Sequence, residues 1–471
     1  MSFDLEFHSL VEVARLIAHR EVTSRAITER LLARIQRVDG KLRTYACVMA
    51  EQALRQAEAA DREIKAGVHR GPLHGVPISV KDLCWTEGVP TAAGTAVHKG
   101  FIATRDATVV RKLAEAGAVL IGKTQLTEGA YSDYHPSIAP VINPWNDTYW
   151  AGISSSGSAV ATAAGLCFGS IASDTGGSIR WPSAANGVTG LKPTWGRVSR
   201  FGTFDLAPSL DHIGPIARSA ADVAVLFKAI AGHDVDDPTT STRPVPDAMA
   251  DVMTDVRGMR IGIDQRWTTE DVDYAVQAAL AQARAAFSGL GVEVVEVTLP
   301  DARQIVADWT PNCAVEAAVA HQAAYANGKA LYGPILSSVI ESAMAISGAD
   351  YQKILHRRAA FRGQVQALLS SVDAVLIPIH PFAPLTLIQI ATLGEQPELI
   401  AKLQRYTAPF NMSGHPTLSF PGGVSADGMP IGLQLVAATF NESALLTLGA
   451  AFQRATAWHH RHPNVSMEEQ P

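Results

Sequence analysis

The stretch that most constrains this chain runs from Gly152 to Arg180 and reads GISSSGSAVATAAGLCFGSIASDTGGSIR. Glycine, serine, alanine and threonine fill most of it, and serines stand next to glycines at both ends. Small side chains let backbone segments approach each other closely, and glycine permits turns that other residues resist. We therefore expect this stretch to be both tightly packed core and a backbone cradle for a reacting group.

Composition and charge narrow the class of protein. The chain has 471 residues, of which 47% are hydrophobic and 18% charged, as in ordinary globular proteins. The formal net charge is −6 and no long basic run occurs, which argues against nucleic acid as a partner. The four cysteines are scattered, no signal peptide is evident, and no apolar run approaches the roughly 18 residues of a membrane span. These features favour a reduced, cytoplasmic protein, a monomer or homodimer that acts away from membranes.

Alternating apolar strands and helices predict an α/β fold with a mixed, mostly parallel β-sheet flanked by many α-helices. Among the local signals, Gly40 is expected to end the second helix. Asp106 is expected to cap the helix that begins directly after Asp106. We expect one domain over residues 1–471. Its parts are an N-terminal helical region (1–70), a catalytic core (71–220), a variable helical region (232–400) and C-terminal strands and helix (401–471).

Three segments carry candidate chemistry. Asp174–Arg180 follows an apolar strand, and its two glycines before Ser178 can aim several backbone N–H groups at one point, as an oxyanion hole requires. The hydroxyl run Ser154–Ser158 can relay a proton between a nucleophile and a base. Lys81 ends an apolar strand, where burial would lower its pKa from about 10.4 and make it a base. Each segment also has a plain structural reading: a helix cap, a flexible loop and a lysine paired with Asp82.

Taken together, the three segments resemble the amidase signature family of serine hydrolases. Gly75–Asp82 (GVPISVKD) matches the lysine motif of that family, Gly152–Ser158 its serine-glycine motif, and Asp174–Arg180 its nucleophile motif. Gly187–Thr194, Leu210–Pro215 and Gly428–Gln434 provide further matches. Because several motifs agree in the same order, the resemblance is much more specific than any one of them.

The resemblance implies a role for each matched residue. Ser178 is expected to be the acylated nucleophile, Ser154 the bridging serine after a cis peptide bond, and Lys81 the general base. The implied oxyanion hole consists of the backbone N–H groups of Thr175, Gly176, Gly177 and Ser178. The implied supporting residues are Ser155, Asp174 and Arg180, and the implied acyl pocket is lined by Gly129, Ala130 and Tyr131. Neither a cofactor nor a metal is implied.

Two positions depart from the family pattern. Ile153 and Ser156 stand where glycine is usual, which affects the expected shape of the loop but retains its hydroxyl groups. Tyr131 and the nearby Tyr134 favour a mixed apolar and aromatic pocket. The sequence therefore predicts hydrolysis of small aryl or alkyl amides, with esters or carbamates (urethanes) as related substrates.

Other readings compete with this one. The glutamine-hydrolysing A subunit of a tRNA-dependent amidotransferase is the main alternative, and it would require a cationic anchor for the substrate carboxylate. Gly117–Thr124 satisfies the P-loop formula, yet its apolar interior is typical of a strand. A histidine triad through Asp211 and His212 lacks support from spacing, and Trp458–His462 could bind metal but is more typical of a solvated tail.

Overall fold

A wholly buried group of strands forms the middle of the molecule. The computed structural model describes residues 5–465, and within that range it shows one sheet of eleven strands. The strands are β1 Tyr45–Val48, β2 Pro77–Lys81, β3 Val119–Thr124, β4 Gly169–Asp174, β5 Thr189–Lys192, β6 His212–Ala217, β7 Arg260–Ile263, β8 Glu293–Glu296, β9 Ala374–Pro378, β10 Thr417–Val424 and β11 Pro430–Val436.

The sheet is mixed, in the spatial order β1-β3-β2-β4-β6-β5-β10-β11-β9-β7-β8. Parallel pairing is limited to two blocks, β3-β2-β4 and β9-β7-β8, and the other neighbours are antiparallel. The prediction of an α/β fold with a mixed sheet is therefore confirmed, but the expectation that parallel pairs predominate is wrong. Parallel neighbours need a long crossover between them, whereas the short turn that joins β10 to β11 permits only antiparallel pairing.

Helices cover both faces of this sheet. They are α1 Leu10–Ala18, α2 Ser24–Leu42, α3 Ala50–Lys65, α4 Thr108–Glu115, α5 Ser156–Ala163, α6 Arg180–Asn186, α7 Ala220–Ile230, α8 Ala248–Asp251, α9 Gln265–Thr269, α10 Tyr274–Gly289, α11 Arg303–Ala320, α12 Gln322–Gly328, α13 Pro334–Ser342, α14 Gly348–Leu369, α15 Leu387–Ala391, α16 Pro397–Gln404, α17 Ala408–Met412 and α18 Glu442–Ala455. Between residues 5 and 465, none of them is long and apolar enough to cross a membrane.

Two local predictions about helix ends are wrong. Helix α2 continues past Gly40 because Val38 and Leu42 keep its apolar face buried, and it ends at Arg43 in the left-handed conformation. Asp106 does not cap α4. Its carboxylate instead accepts a hydrogen bond from the backbone N–H of Glu87 at 2.7 Å, and Ala107 occupies the N-cap position without a side-chain bond.

The small residues of α5 allow the close packing that the sequence predicts. A Cβ atom on Gly157 would lie 2.4 Å from the carbonyl oxygen of Thr44 and 2.6 Å from the backbone nitrogen of Gln125. A Cβ atom on Gly152, whose φ is +79°, would lie 2.3 Å from Cα of Pro182. No side chain fits at either position, so these two glycines bring the serine run against the neighbouring segments.

Candidate active site

Strand direction brings the lysine and nucleophile segments together. The neighbours β2 and β4 are parallel, with Val80 paired with Ile171, so both strands end at the same edge of the sheet. Lys81 is the last residue of β2 and Asp174 the last residue of β4. The carboxyl edge of parallel strands is where α/β proteins place their sites.

Lys81 lies at the centre of three serine hydroxyl groups. Its Nζ atom lies 2.8 Å from Oγ of each of Ser154, Ser155 and Ser173. All four side chains are buried, and the peptide bond between Ile153 and Ser154 is cis. The structure thus brings Lys81, Ser154 and Ser155 together, as the resemblance implies. Sequence reasoning missed Ser173, although a polar residue inside a fully buried strand was a usable signal.

Burial lowers the pKa of Lys81 from its ordinary value of 10.5 to about 7. A neutral amine has two N–H groups and one lone pair, so it can donate to only two of the three serines and must accept from the third. Ser155 Oγ donates to the carbonyl oxygen of Ser173 at 3.1 Å, so it accepts from the lysine. Either Ser154 or Ser173 is left to donate a proton to Nζ.

The segment that carries Ser178 is held by a buried ion pair. Asp174 accepts hydrogen bonds from the backbone N–H groups of Gly177 (2.9 Å) and Ile179 (3.0 Å). Arg180 donates to the same carboxylate at 2.8 and 3.0 Å, and both side chains are fully buried. Burial alone would raise the pKa of Asp174, but the charge and hydrogen bonds of Arg180 hold that pKa well below its usual range.

Ser178 lies between this ion pair and the serine run. Its side chain is almost wholly buried, and its carbonyl oxygen accepts from the backbone N–H of Ser155 at 3.3 Å. Because the N–H group of Gly177 already donates to Asp174, that group is not available to an oxyanion. The predicted oxyanion hole is therefore reduced to the N–H groups of Thr175, Gly176 and Ser178.

Two segments that are distant in sequence contact the loop that carries Ser178, and no sequence motif predicted either contact. Asn411 in α17 donates to the side chain of Asp174 at 2.9 Å and to its carbonyl oxygen at 3.0 Å. Trp309 in α11 donates through Nε1 to the carbonyl oxygen of Thr175 at 2.9 Å. Both residues lie far along the chain from the nucleophile motif, so only the tertiary structure shows their part in the site.

The predicted acyl-pocket residues form a tight turn beside the relay. Gly129 and Ala130 have φ values of +57° and +62°, and the backbone N–H of Thr127 donates to the carbonyl oxygen of Ser154 at 3.4 Å. Tyr131 follows, with its ring parallel to that of Trp309. The turn that carries the predicted acyl-pocket residues therefore lies next to the serine run.

Local packing explains the two departures from the family pattern. Ile153 is buried in an apolar cluster that includes Trp150 and Trp181, so an apolar side chain is accommodated at this position. Ser156 forms a hydrogen bond of 2.5 Å with the hydroxyl of Tyr134, whose pKa burial raises to about 12. The hydroxyl at position 156 is therefore committed to Tyr134.

The structure does not support the two competing motifs, the P-loop match and the histidine triad. Residues 119–124 of the P-loop match form strand β3, and Lys123 is buried with Nζ 3.2 Å from Asp82 and 2.7 Å from Thr91, so the P-loop reading is wrong. His212 Nδ1 lies 2.7 Å from the carbonyl oxygen of Leu210, and burial lowers the pKa of this histidine well below its ordinary value. His212 therefore makes no triad through this nitrogen.

The segment Trp458–His462 agrees only in part with the expected solvated tail, since His460, Arg461 and His462 are exposed but other contacts hold the segment to the protein. The ring of His462 stacks on Phe7 with centroids 3.7 Å apart, and Trp458 and His459 are half-buried. Burial lowers the pKa of His459 to about 4. Over residues 5–465, the structure shows no cluster of three or more metal-ligating side chains, in this segment or elsewhere.

Comparison with known proteins identifies the class. A family model described as Amidase matches residues 26–446. The chain is 48% identical to "Putative amidase AmiD" of Mycobacterium tuberculosis, over 97% of this chain and 96% of that protein. It is 37% identical to the A subunit of the Glutamyl-tRNA(Gln) amidotransferase of Geobacter sp. strain M21, over 97% of this chain and 98% of that one.

Solved structures agree with these relatives. The native peptide amidase from Stenotrophomonas maltophilia superimposes with a TM-score of 0.82 at 29% identity, over 95% of this chain and 96% of that one. The chain belongs to the amidase signature family, and it is an amide-hydrolysing enzyme.

Proposed function

We propose that this enzyme hydrolyses small aryl or alkyl amides through an acyl-enzyme on Ser178, with Ser154 and Lys81 as its proton relay. The observation that carries the proposal is the buried Lys81, whose Nζ lies 2.8 Å from Ser154 Oγ and whose pKa burial lowers to about 7. A lysine with that pKa is substantially neutral near pH 7 and can act as a general base. Esters and carbamates are related substrates of the same chemistry.

The first half-reaction forms the acyl-enzyme. Ser178 Oγ attacks the amide carbonyl carbon while its proton passes to Ser154 Oγ, and the proton of Ser154 passes to the lone pair of Lys81. The negative charge on the carbonyl oxygen is met by the N–H groups of Thr175, Gly176 and Ser178. Lys81, now an ammonium group, returns its proton through Ser154 to the leaving nitrogen, and the C–N bond breaks.

The second half-reaction uses the same groups with water. Water attacks the ester carbonyl carbon of the acyl-enzyme, and its proton travels through Ser154 to Lys81. The intermediate then collapses, the bond to Ser178 Oγ breaks, and that oxygen regains a proton from the relay. The free acid leaves and Lys81 is neutral again, so each cycle consumes one water molecule and leaves the enzyme unchanged.

The supporting contacts give the other residues of the site their proposed parts. Ser155 and Ser173 each take a hydrogen bond from Lys81 and orient its lone pair towards Ser154. Asp174 and Arg180 fix the loop that carries the nucleophile. These residues are positioning residues, since none of them forms or breaks a bond to the substrate.

Covalent labelling tests the relay directly. The purified chain is treated with a fluorophosphonate, its intact mass is measured, and the modified peptide is mapped. We expect a single adduct on Ser178 that is lost in Ser178→Ala and slowed by at least 100-fold in Lys81→Ala. Lys353→Ala, at an exposed ion pair with Asp350, is the matched lysine control and should label at the normal rate.

The outcomes separate the assignments. An adduct at another serine would place the nucleophile elsewhere, and normal labelling of Lys81→Ala would remove the lysine from the relay. Circular dichroism of each variant shows whether a loss of labelling comes from unfolding.

The glutamine-hydrolysing component of a tRNA-dependent amidotransferase is a second candidate, favoured by the 37% identity to a protein of that kind. Such a component would hydrolyse glutamine within a complex. Gel filtration combined with an activity assay distinguishes the two: a chain that turns over simple amides alone does not depend on a complex.

A further inference from the structure

The nucleophile loop is packed against an aromatic side chain from a distant helix. Trp309 donates to the carbonyl oxygen of Thr175 at 2.9 Å, and its ring lies so close to Gly176 that a Cβ atom there would be 2.5 Å from Cζ2. The six-membered part of the indole therefore lies directly beside the predicted oxyanion hole. The ring thus borders the loop on the side towards which a side chain at position 176 would project.

Tyr131 continues the same surface from the opposite loop. Its ring is parallel to that of Trp309 within 7°, with centroids 6.4 Å apart. The two rings therefore present faces of the same orientation on neighbouring elements. A planar group that lies against either face gains energy from aromatic stacking beyond the area that it buries.

The far end of this surface is polar but uncharged. A Cβ atom on Gly129 would lie 2.7 Å from Leu336 Cδ2 and 3.4 Å from His321 Nε2, so both side chains pack where a larger residue at 129 would project. Nδ1 of His321 forms a hydrogen bond of 3.1 Å with the hydroxyl of Tyr332. Its other ring nitrogen, Nε2, is buried without a hydrogen-bond partner within residues 5–465. Burial lowers the pKa of His321 to about 4, so the ring is neutral near pH 7.

Charged groups on the flanking elements already have hydrogen-bond partners within the protein. Glu128, next to Gly129, accepts from the backbone N–H of Gly333 at 2.9 Å. Asp308, next to Trp309, accepts two hydrogen bonds from Arg357 at 2.6 and 2.8 Å. Arg358, from α14, donates to Asn312 one turn along α11 at 2.9 Å and lies 3.9 Å from Glu316, so this cation also has partners within the protein.

We propose that Tyr131 and Trp309 bind a planar, uncharged acyl group, so that the enzyme prefers amides of aryl acids to aliphatic amides and to amides that carry a carboxylate. This inference rests on the proposed function, since it assumes that Ser178 is acylated. It adds Trp309 as a specificity-determining residue, which lies in the region that sequence reasoning treated as variable.

Matched substrates test the proposal. Benzamide and hexanamide are similar in size and uncharged, and glutamine adds the carboxylate. We expect kcat/KM for benzamide to exceed that for hexanamide by roughly tenfold, the factor that aromatic stacking can supply, with glutamine the poorest of the three. The readout is kcat/KM for benzamide divided by kcat/KM for hexanamide, because a general disturbance of the site lowers both values together.

Substitutions of Tyr131 and Trp309 test whether these two rings cause the preference for benzamide. In Tyr131→Leu and Trp309→Leu we expect the ratio to fall several-fold, mainly through a higher KM for benzamide, and Tyr131→Phe should retain it. Tyr274→Leu, at an 86% exposed tyrosine of α10, is the matched control and should keep the wild-type ratio.

Each outcome decides the proposal. A wild-type ratio of one or less, or a ratio that both leucine variants leave unchanged, would overturn it while hexanamide turnover keeps the proposed function intact. If neither amide is hydrolysed and the fluorophosphonate fails to label Ser178, the proposed function falls and this inference falls with it.

Discussion

Acidification should inactivate this enzyme through Lys81. Burial lowers the pKa of Lys81 to about 7, and the proposed relay requires the neutral amine. Below that pH the ammonium form predominates, its lone pair is gone, and it cannot take the proton of Ser154. The rate should therefore rise with pH through about 7 and level off above it.

The magnitude follows from the neutral fraction. With a pKa of about 7, roughly half of Lys81 is neutral at pH 7 and about 1% at pH 5. We expect kcat/KM to fall about 50-fold between these two values, with a slope approaching one in a plot of its logarithm against pH. An unperturbed lysine would instead leave the plot rising well past pH 9.

The assay measures kcat/KM for an uncharged amide from pH 5 to 9 at constant ionic strength. An uncharged substrate does not titrate in this range, so the profile reports groups of the free enzyme. Asp205 also titrates here, because burial and the nearby Asp211 raise its pKa to about 6. The variant Asp205→Asn removes that group and should leave the break near pH 7 in place.

A profile that stays flat down to pH 5 would refute the neutral lysine as base. A break that moves with Asp205→Asn would assign the titration to the aspartate instead. Circular dichroism at each pH detects unfolding, and the return of each sample to pH 8 detects irreversible loss of activity.

The remaining predictions concern the loop that carries the proposed nucleophile. Arg180→Met leaves the carboxylate of Asp174 buried without its cation, and we expect a loss of about 3–5 kcal/mol in the free energy of unfolding, measured with urea. Arg303→Met, at an exposed ion pair, should change that free energy by less than about 0.5 kcal/mol, and an equal effect of both would contradict the reasoning. Gly176→Ala places a Cβ atom 2.5 Å from Trp309, so kcat/KM should fall at least tenfold and partly recover when Trp309→Phe is added. Normal activity of Gly176→Ala would show that the loop shifts at no cost.

Local sequence signals predicted most of the elements but failed where burial of a face decided the outcome. The helix α2 passes Gly40 because the apolar residues on either side of that glycine are buried against the core. The excess of antiparallel pairs in the sheet could not be predicted from the sequence either, because a run of apolar residues does not reveal the direction of the neighbouring strand.

The sequence by itself determined the chemistry that we propose for the site. Lys81, Ser154 and Ser178 stand in ordered motifs in which small residues and glycines must lie at fixed spacings, because a relay and an oxyanion hole tolerate little change in local backbone. Such short-range requirements leave a pattern in the chain that can be read without coordinates.

Only the tertiary structure decided what surrounds that chemistry. Ser173, Asn411 and Trp309 reach the site from a strand interior and two distant helices, where their side chains meet the loop by packing rather than by spacing. The lowered pKa of Lys81 likewise comes from the many segments that together exclude water from it. Contacts between residues far apart in the chain depend on the whole fold, and so no local motif could record them.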